Sequence, residues 1–545
     1  MRKPKKRKEK LSIYLVKSGI ECDVSKAINL ESSKPPIEME MQGLDATLYV
    51  KKEPSKPPPP WTKLFTEHQD LPEDIFGGRK AVGAALVVRL DENLFVLTFG
   101  TGFHLLKNET IERDFGLRVT LNSVDPDKLR SLDKASYDHN PLNSRTQSSI
   151  DLGVFDLDVD SEMDMLYAVT GASTVPIFGS HVTGRDALTL VLEVNLNGLK
   201  EILSECLLRY KASLPKDFEW VENIQRVKDK ELHEVLDLEL DDILAKGDFK
   251  NMWLGEPEII DWESQVGYSF DLYQKTPRHV VLKIDDLVKY FSVKSIALTS
   301  ESLKGQSVHI NDSEYNSIKK WSAYRCLYAE VFTESEQYIL RNGQWYIVNT
   351  DFVASVDKYL DGFDIYEFKF PTYSHDREED YNEFVAASFA NIELMDKNFV
   401  KIGGPHDKLE FCDLIKDTSE FIHVKYYRSS ATLSHLFSQG FVASEAFIGD
   451  ADFRKRLNDK LPMSSKLSCT DSRPDPSKYK IVYAIATNRN IPKELPFFSK
   501  VTLKNALKTL KTLNYSVSIS AIDVDPVLEI KKKGKPAKEK KLACF

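Results

Sequence analysis

Apolar and polar residues alternate along several short stretches of the chain, which is the pattern of β-strands with one buried face. These stretches include LSIYLVKS, ATLYVKKE, AALVVRLDENLFVLTFG, ILRNGQWYIV and KIVYAIAT. The DEN and NG sequences inside two of them are turn-forming, and they predict two β-hairpins. Elsewhere the apolar residues follow helical spacing, as in LKEILSECLLRY and DKELHEVLDLELDDILAKG. These segments predict helices with a charged face toward solvent.

The C-terminal part of the chain predicts an ordered mixture of helices and strands. DREEDYNEFVAASFANIELMD predicts a helix opened by acids, as the helix dipole favours. FVKIGG, KLEFCDLI and EFIHVKYY predict three short strands, and SSATLSHLFSQGFVASEAFI predicts a helix that Ser429 or Ser430 caps. KIVYAIAT, SKVTLKNALKTLKTL and YSVSISAI then predict a strand, a basic amphipathic helix and a last strand.

The predicted fold class is therefore α+β or α/β and multidomain, with a C-terminal mixed sheet flanked by helices. The expected domains follow the changes in pattern along the chain. They are a basic tail (1–10), an N-terminal α/β domain (11–180), a mainly helical region (181–300), a β-rich segment (301–375), a C-terminal α/β domain (376–525) and a second basic tail (526–545).

Composition and charge narrow the class of protein. The chain has 545 residues, of which 42% are hydrophobic and 29% charged, so it is long enough for several domains with buried cores. The net charge is −9, yet residues 1–10 carry seven Lys or Arg and residues 531–541 carry seven Lys. Basic tails of this kind attract phosphate backbones without sequence preference. The six cysteines form no CxxC pair, which argues against a disulfide framework or a cysteine zinc site.

The length of the apolar runs bears on whether the chain crosses a membrane. No run approaches the roughly twenty residues that cross a bilayer. A cytoplasmic protein without a membrane partner is therefore expected.

The stretch LEFCDLIKDTSEFIHVKYYRSSATLSHLFSQG, residues 409–440, concentrates the candidate chemistry. Strand alternation places Asp413 on one face of its strand, and His423 and Lys425 on one face of the next. A carboxylate on one strand and a lysine on its neighbour suit metal-dependent cleavage of phosphodiesters. In that chemistry acids hold Mg²⁺ or Mn²⁺, and the lysine stabilises charge on the phosphate.

Residues 376–450, which include this stretch, resemble the core of the PD-(D/E)xK nuclease superfamily. The resemblance implies that Asp413 is the first acid, Lys425 the lysine, Gln439 the residue of the second helix and Glu383 the acid of the first helix. His423 stands where the second acid is expected, and Glu410 replaces that acid if the strand bulges. The expected catalytic residues are Asp413, His423, Lys425, Glu410 and Gln439, and the expected metal ligands are Asp413, Glu410 and Glu383.

Several readings of the same residues remain open. HVK also matches the HxK motif of the phospholipase D type, but Ser430 stands where that motif requires an Asp. Asp413 and Lys425 also fit a structural cross-strand pair. A third reading is a surface that binds nucleic acid without cutting it. Its expected contacts are Lys425, Arg428, Ser429, Ser430, His435, Arg454, Lys455 and Arg456.

The chain as a whole, from about residue 11 to residue 530, resembles a sporadically distributed family of prokaryotic proteins with a domain of unknown function. EFCDLI, FIHVK, SSATLSHLFSQG, LPFFSKVTL, TFGTGFHLL, ERDFGL and SRTQSS carry this resemblance. It implies a role in bacterial defence against phage or mobile DNA, with nucleic acid as partner and DNA preferred over RNA. Self-association or a partner protein from a defence system is also compatible with the sequence. A metal-dependent nuclease and a non-catalytic binding or sensing module that recruits an effector are the two functions left open.

Overall fold

The computed structural model of the chain divides into two compact units, which are Met1–Ala135 with Asn143–Val221, and Ser136–Leu142 with Glu222–Phe545. It describes residues 8–528 with gaps at 21–23, 42, 53–81, 137–142, 194–195, 259, 261–265, 273–276, 313, 334–335, 402–407 and 428–429. Most of both predicted basic tails lies outside the described residues.

The first unit is built on one ten-stranded sheet. Its strands are β1 (Glu9–Leu15), β2 (Ile37–Met41), β3 (Leu44–Val50), β4 (Gly83–Leu90), β5 (Asn93–Gly100), β6 (Val124–Ser136), β7 (Asn143–Leu152), β8 (Asp164–Ser173), β9 (His181–Gly184) and β10 (Leu188–Leu192). They lie in the order β2-β3-β4-β5-β1-β10-β9-β8-β6-β7. The helices that accompany the sheet in the described part of this unit are α1 (Val24–Ala27), α2 (Phe115–Leu121) and α3 (Leu199–Lys211). Residues of α2 and α3 share one apolar core with inward residues of the sheet.

The second unit begins with two antiparallel sheets and the helices packed on them. The strands are β11 (Ile224–Arg226), β12 (Met252–Leu254), β13 (Gly267–Ser269), β14 (Ser307–Asn311), β15 (Ser317–Ser322), β16 (Leu327–Thr333), β17 (Glu336–Arg341) and β18 (Gln344–Val348). Their orders are β11-β18-β17-β16-β12 and β13-β14-β15. The helices are α4 (Lys230–Lys246), α5 (Ile284–Lys294), α6 (Ser300–Gly305), α7 (Ala323–Cys326) and α8 (Thr350–Asp361).

The C-terminal part of the second unit is a mixed sheet covered by helices. Its elements are α9 (Glu378–Ser388), β19 (Ile392–Leu394), β20 (Phe399–Lys401), β21 (Lys408–Glu410), β22 (Leu414–Lys416), β23 (Glu420–Tyr426), α10 (Ser430–Gly449), α11 (Ala451–Lys460), β24 (Lys480–Ala486), α12 (Phe497–Thr512) and β25 (Ser516–Ile522). The sheet order is β19-β22-β23-β24-β25, and β20 and β21 form a separate two-stranded sheet.

Helices cover both faces of this mixed sheet. β19, β22 and β23 pair antiparallel, whereas β24 and β25 continue the sheet in parallel. Ile422 and Val424 pack with Tyr381 and Val385 of α9 on one face. Tyr483 of β24 contacts Phe437 of α10 on the other face. Burial on both faces explains the nearly continuous apolar sequence of β24, KIVYAIA.

Both predicted hairpins are confirmed. β4 and β5 pair around a turn in which Asp91 has a φ of 52°. β17 and β18 pair around Asn342 and Gly343, whose φ values are 48° and 68°. The positive φ values explain why turn-forming residues occupy these positions.

Two predicted elements were wrong in their extent. The helix expected from residue 376 to residue 396 ends at Ser388, and the chain then forms β19. The single strand expected for KLEFCDLI is two strands in two different sheets, because it breaks between Glu410 and Leu414. Strand alternation therefore does not hold across this break.

The coarse prediction of a mixed α+β architecture is confirmed by the several sheets and flanking helices. Among the described residues, none of the helices has both the length and the apolar character needed to cross a bilayer.

Candidate active site

Three carboxylates meet beside the mixed sheet. Asp396 follows β19, Glu410 ends β21, and Asp413 immediately precedes β22. Each offers a carboxylate oxygen, and these oxygens all lie within 4.8 Å of one another. We refer to these three residues as the carboxylate cluster.

Backbone hydrogen bonds hold Asp396 and Asp413 side by side. The Asp413 carbonyl accepts from the amides of Met395 (2.8 Å) and Asp396 (2.9 Å), and its own amide donates to Ile422 (3.0 Å). The Asp413 carboxylate accepts from the Val424 amide at 2.6 Å. The β22–β23 hairpin therefore fixes both the backbone and the carboxylate of Asp413.

Glu410 joins the cluster from the second, two-stranded sheet. Its carboxylate accepts from the backbone amide of Lys397 at 2.6 Å and from the side-chain amide of Gln439 on α10 at 3.0 Å. Lys397 has a φ of 62°, in the left-handed region that a residue with a side chain seldom adopts. This backbone conformation directs the Lys397 amide at Glu410.

Burial and electrostatic repulsion raise the pKa values of two members of the cluster, Asp413 and Glu410. Burial raises the pKa of Asp413 well above its usual range, and the nearby Glu410 charge adds to the effect. Burial also raises the pKa of Glu410, and the charge of Asp396 and a hydrogen bond to that carboxyl act in the same direction. Close, desolvated carboxylates hold protons more tightly, and a bound cation relieves the same repulsion. The site is therefore suited to either a shared proton or a metal ion.

A buried side-chain amide contacts the cluster. Asn382 of α9 is 1% exposed, and its Nδ2 donates to Asp396 at 3.2 Å. Its Oδ1 is buried without a hydrogen-bond partner. A buried polar atom left unsatisfied is rare, and it marks a place where a water or an ion completes the bonding. The donor set here consists of oxygens, which suits Mg²⁺ or Mn²⁺ better than a soft metal.

Cations at the rim of the cluster are paired with acids of the first turn of α9. Lys425 Nζ lies 2.7 Å from a carboxylate oxygen of Glu378. Lys397 and Arg377 both form ion pairs with Glu379. The Lys425 charge also acts on Asp413, whose pKa it lowers against the effect of burial. Of these three cations, Lys425 is the one whose charge acts on Asp413.

His423 is not a member of the carboxylate cluster. Its side chain is 1% exposed, its ring centre is 5.9 Å from that of Tyr483, and its Nδ1 has no hydrogen-bond partner. Burial lowers the pKa of His423 to about 4, so the ring is neutral at neutral pH. The group of converging ligands found among the described residues does not include this histidine.

The remaining sequence-predicted ligands occupy different environments. Glu383 is exposed on α9 and does not belong to the carboxylate cluster. Gln439 reaches Glu410, as described above, and Lys425 approaches Asp413. The acid of α9 that contacts Lys425 is Glu378, five residues before Glu383.

The predicted phosphate contacts are dispersed as well. Arg428 and Ser429 lie outside the described residues, and Ser430 begins α10. His435 and Arg456 are exposed, and Lys455 pairs with Asp471 at 2.9 Å.

Arg454 requires a correction. It is 3% exposed, and its guanidinium donates to the carbonyls of Phe447, Thr470 and Asp471. This arginine therefore stabilises the interior and is not available to a phosphate.

Sequence reasoning missed Asp396, Asn382 and Glu378. Asp396 falls in a turn that was assigned to a helix, so no motif drew attention to it. Asn391, a turn-forming residue just before β19, was the one available sign that the helix ends earlier. Glu378 was visible as an acid opening a helix, but its contact with Lys425 depends on the tertiary fold.

Comparison with known proteins gives one match. The sequence profile of a family of unknown function (DUF6119) matches residues 11–523. No curated protein shows a significant match to the chain, and no solved structure does so either.

Proposed function

Because the chain belongs to DUF6119, a family of unknown function, we propose its function from the site itself, as a metal-dependent phosphodiesterase that acts on nucleic acid. The observation that carries this proposal is the carboxylate cluster next to Lys425. Three acids whose oxygens lie within 4.8 Å of one another suit a divalent cation, and a neighbouring lysine suits a phosphate.

The order of the elements supports the same proposal. Apart from the two-stranded sheet β20–β21 and the helix α11, the elements α9, β19, β22, β23, α10 and β24 occur in the order helix, three antiparallel strands, helix and parallel strand. This order resembles the core of the PD-(D/E)xK nucleases. The chain differs at His423, where an acid is expected. We propose that Asp396 and Glu410 supply the oxygen ligands that His423 does not.

The proposed roles follow from the contacts of each side chain. Asp396, Glu410 and Asp413 would hold Mg²⁺ or Mn²⁺, and Gln439 would orient Glu410. When bound, the cation supplies Lewis-acid polarisation of the phosphate and a more acidic water. Lys425 would stabilise the negative charge that develops on the phosphate as water attacks phosphorus and the ester oxygen leaves.

Cleavage assays test this proposal. Purified protein is incubated with plasmid, single-stranded DNA and RNA in Mg²⁺, Mn²⁺ or EDTA. We expect cleavage with a divalent cation and none in EDTA. Asp413→Asn should reduce the rate about a hundredfold or more, because it removes a ligand charge while its side-chain oxygen still accepts from Val424. Lys425→Met should reduce the rate similarly and leave cation affinity closer to wild type.

Asp459→Asn is the matched control, since Asp459 is exposed on α11 and the substitution removes the same charge. Cleavage that survives both Asp413→Asn and Lys425→Met would overturn the assignment of the site. Salt-dependent binding without cleavage under any metal condition would instead favour the second function left open by the sequence, a module that binds nucleic acid and recruits an effector.

A further inference from the structure

Three basic residues near the carboxylate cluster form ion pairs with two acids in the first turn of α9. Lys425 pairs with Glu378, and both Lys397 and Arg377 pair with Glu379. We infer that these three cations are a subsite for the phosphates of a nucleic-acid strand, and that Glu378 and Glu379 occupy it until the strand displaces them. The inference rests on the proposed function for its substrate class.

The position of the cations links them to the carboxylate cluster. The backbone amide of Lys397 donates to Glu410, while its side chain extends to Glu379. Lys425 directly follows Val424, whose backbone amide donates to the Asp413 carboxylate at 2.6 Å. A phosphate bound by these side chains would therefore lie next to the cluster. A nucleic-acid strand whose scissile phosphate is at the cluster would place its neighbouring phosphates there.

The exposure of the two ion pairs of Glu379 makes their displacement feasible, whereas the side chains of the Lys425–Glu378 pair are 26% and 24% exposed. The side chains of Arg377 and Lys397 are 63% and 54% exposed, and that of Glu379 is 26% exposed. Ion pairs of this exposure contribute little to stability, because water and salt screen them. A phosphate chain presents several negative charges at once and releases counterions on binding, which favours exchange of the carboxylates for phosphates.

Lys397 also carries a second sign of a functional position. Its left-handed backbone, with a φ of 62°, is strained for a residue with a side chain. In this conformation the Lys397 backbone amide donates to Glu410 and its side chain forms an ion pair with Glu379.

Binding measurements with the full chain test the inference. Fluorescence anisotropy follows a labelled single-stranded and a labelled double-stranded DNA oligonucleotide in EDTA, so that no cleavage occurs. Glu379→Gln should tighten binding about three- to tenfold, and Glu378→Gln should act in the same direction, because each frees cations that now pair internally. Glu445→Gln, an exposed residue of α10, is the control for loss of one negative charge and should have little effect.

The reverse variants complete the test. Lys397→Met and Arg377→Gln should each weaken binding and reduce the slope of log affinity against log salt by about one. Unchanged affinity in both glutamate variants, or unchanged salt slope in both cation variants, would overturn the inference. Melting temperatures of each variant show that the protein is folded.

The two proposals fail separately. If Glu379→Gln tightens DNA binding but no metal condition gives cleavage, the phosphodiesterase proposal is rejected and the phosphate subsite is supported. Cleavage that requires Asp413, with no effect of Glu379→Gln on binding, keeps the phosphodiesterase and rejects the subsite.

Discussion

At the scale of single residues, His423 decides how the site is understood. It occupies the sequence position of an expected acid, yet its ring is buried against Tyr483 and its Nδ1 has no hydrogen-bond partner. A buried neutral imidazole is a poor ligand for a hard cation, and protonation inside the core is unfavourable. His423 therefore affects stability at low pH more directly than catalysis.

The melting temperature should report the titration of His423. The pKa of His423 falls from 6.5 in the unfolded chain to about 4 in the folded chain, so the unfolded chain binds more protons between these pH values. Stability from this residue is present above pH 6.5 and is lost as the pH falls toward 4. We expect His423→Gln to show a smaller loss of melting temperature between pH 7 and pH 5 than the wild type.

His435→Gln, an exposed residue of α10, is the control for the same substitution at another histidine. If the melting temperatures of the wild type and of His423→Gln change in parallel with pH, the buried, neutral state of this side chain would be contradicted.

The sequence supported some residues of the site better than others. Asp413, Lys425 and Gln439 stand out because a strand–turn–strand–helix pattern gives each an expected position. Glu410 and Asp413 are three positions apart, so alternation along a single strand would place them on opposite faces, and the interruption of the strand between β21 and β22 brings the two carboxylates together. That break depends on tertiary contacts, such as the bonds from Met395 and Asp396 to the Asp413 carbonyl. Local alternation carries no information about such contacts.

At the scale of elements, the N-terminus of α12 is held by a carboxylate from another sheet. Glu330 of β16 is buried, and one of its carboxylate oxygens accepts from the Phe497 amide at 2.8 Å. Its other carboxylate oxygen, Oε1, has no partner. An acid at this helix end satisfies free amides and favours the helix dipole. The effect of burial on the Glu330 carboxyl is larger than that of these hydrogen bonds, and it raises the pKa of Glu330 to about 7.

Glu330 should give a pH dependence of opposite sign to that of His423. Its folded pKa of about 7 lies above the value of 4.5 for an ordinary glutamate, so the folded chain binds more protons between these pH values. Stability from this residue is present below pH 4.5 and is lost as the pH rises to about 7. The loss would amount to about 3 kcal/mol at most.

Glu330→Gln should remove this slope, because glutamine accepts from Phe497 without titrating. Differential scanning calorimetry between pH 5 and pH 8 measures the effect, with Glu445→Gln as the control for an exposed acid. A melting temperature of Glu330→Gln that changes with pH as the wild type does would argue against a titrating Glu330.

Element types were easier to predict than element ends. The repeat of apolar residues identified the hairpins and most C-terminal strands and helices correctly. The helix α9 was predicted too long, because Ile392 and Leu394 fit a helical spacing as well as a strand. Pairing of β19 with β22 selects the strand, and this pairing joins residues about twenty positions apart.

At the scale of the whole molecule, the family resemblance leaves the biological role as a prediction. The expected role is defence against phage or mobile DNA, and a metal-dependent phosphodiesterase is chemically suited to it. A bacterial strain that expresses the protein should give fewer plaques than a strain that expresses Asp413→Asn at the same level. Equal plaque counts over a panel of unrelated phages would contradict a defence role that depends on cleavage.

The position of the carboxylate cluster in the sequence has a consequence for how the proposed activity would be gained or lost in evolution. Asp396, Glu410 and Asp413 all come from residues 396–413, whereas β23, β24 and β25, which pair in parallel, come from residues 420–522. A short deletion or replacement within this one gene segment would remove the acids together and leave the parallel strands in place. Family members that retain the fold but lack the chemistry would then differ from this chain mainly across that segment, which makes it the region to compare first when relatives are sorted into enzymes and binding proteins.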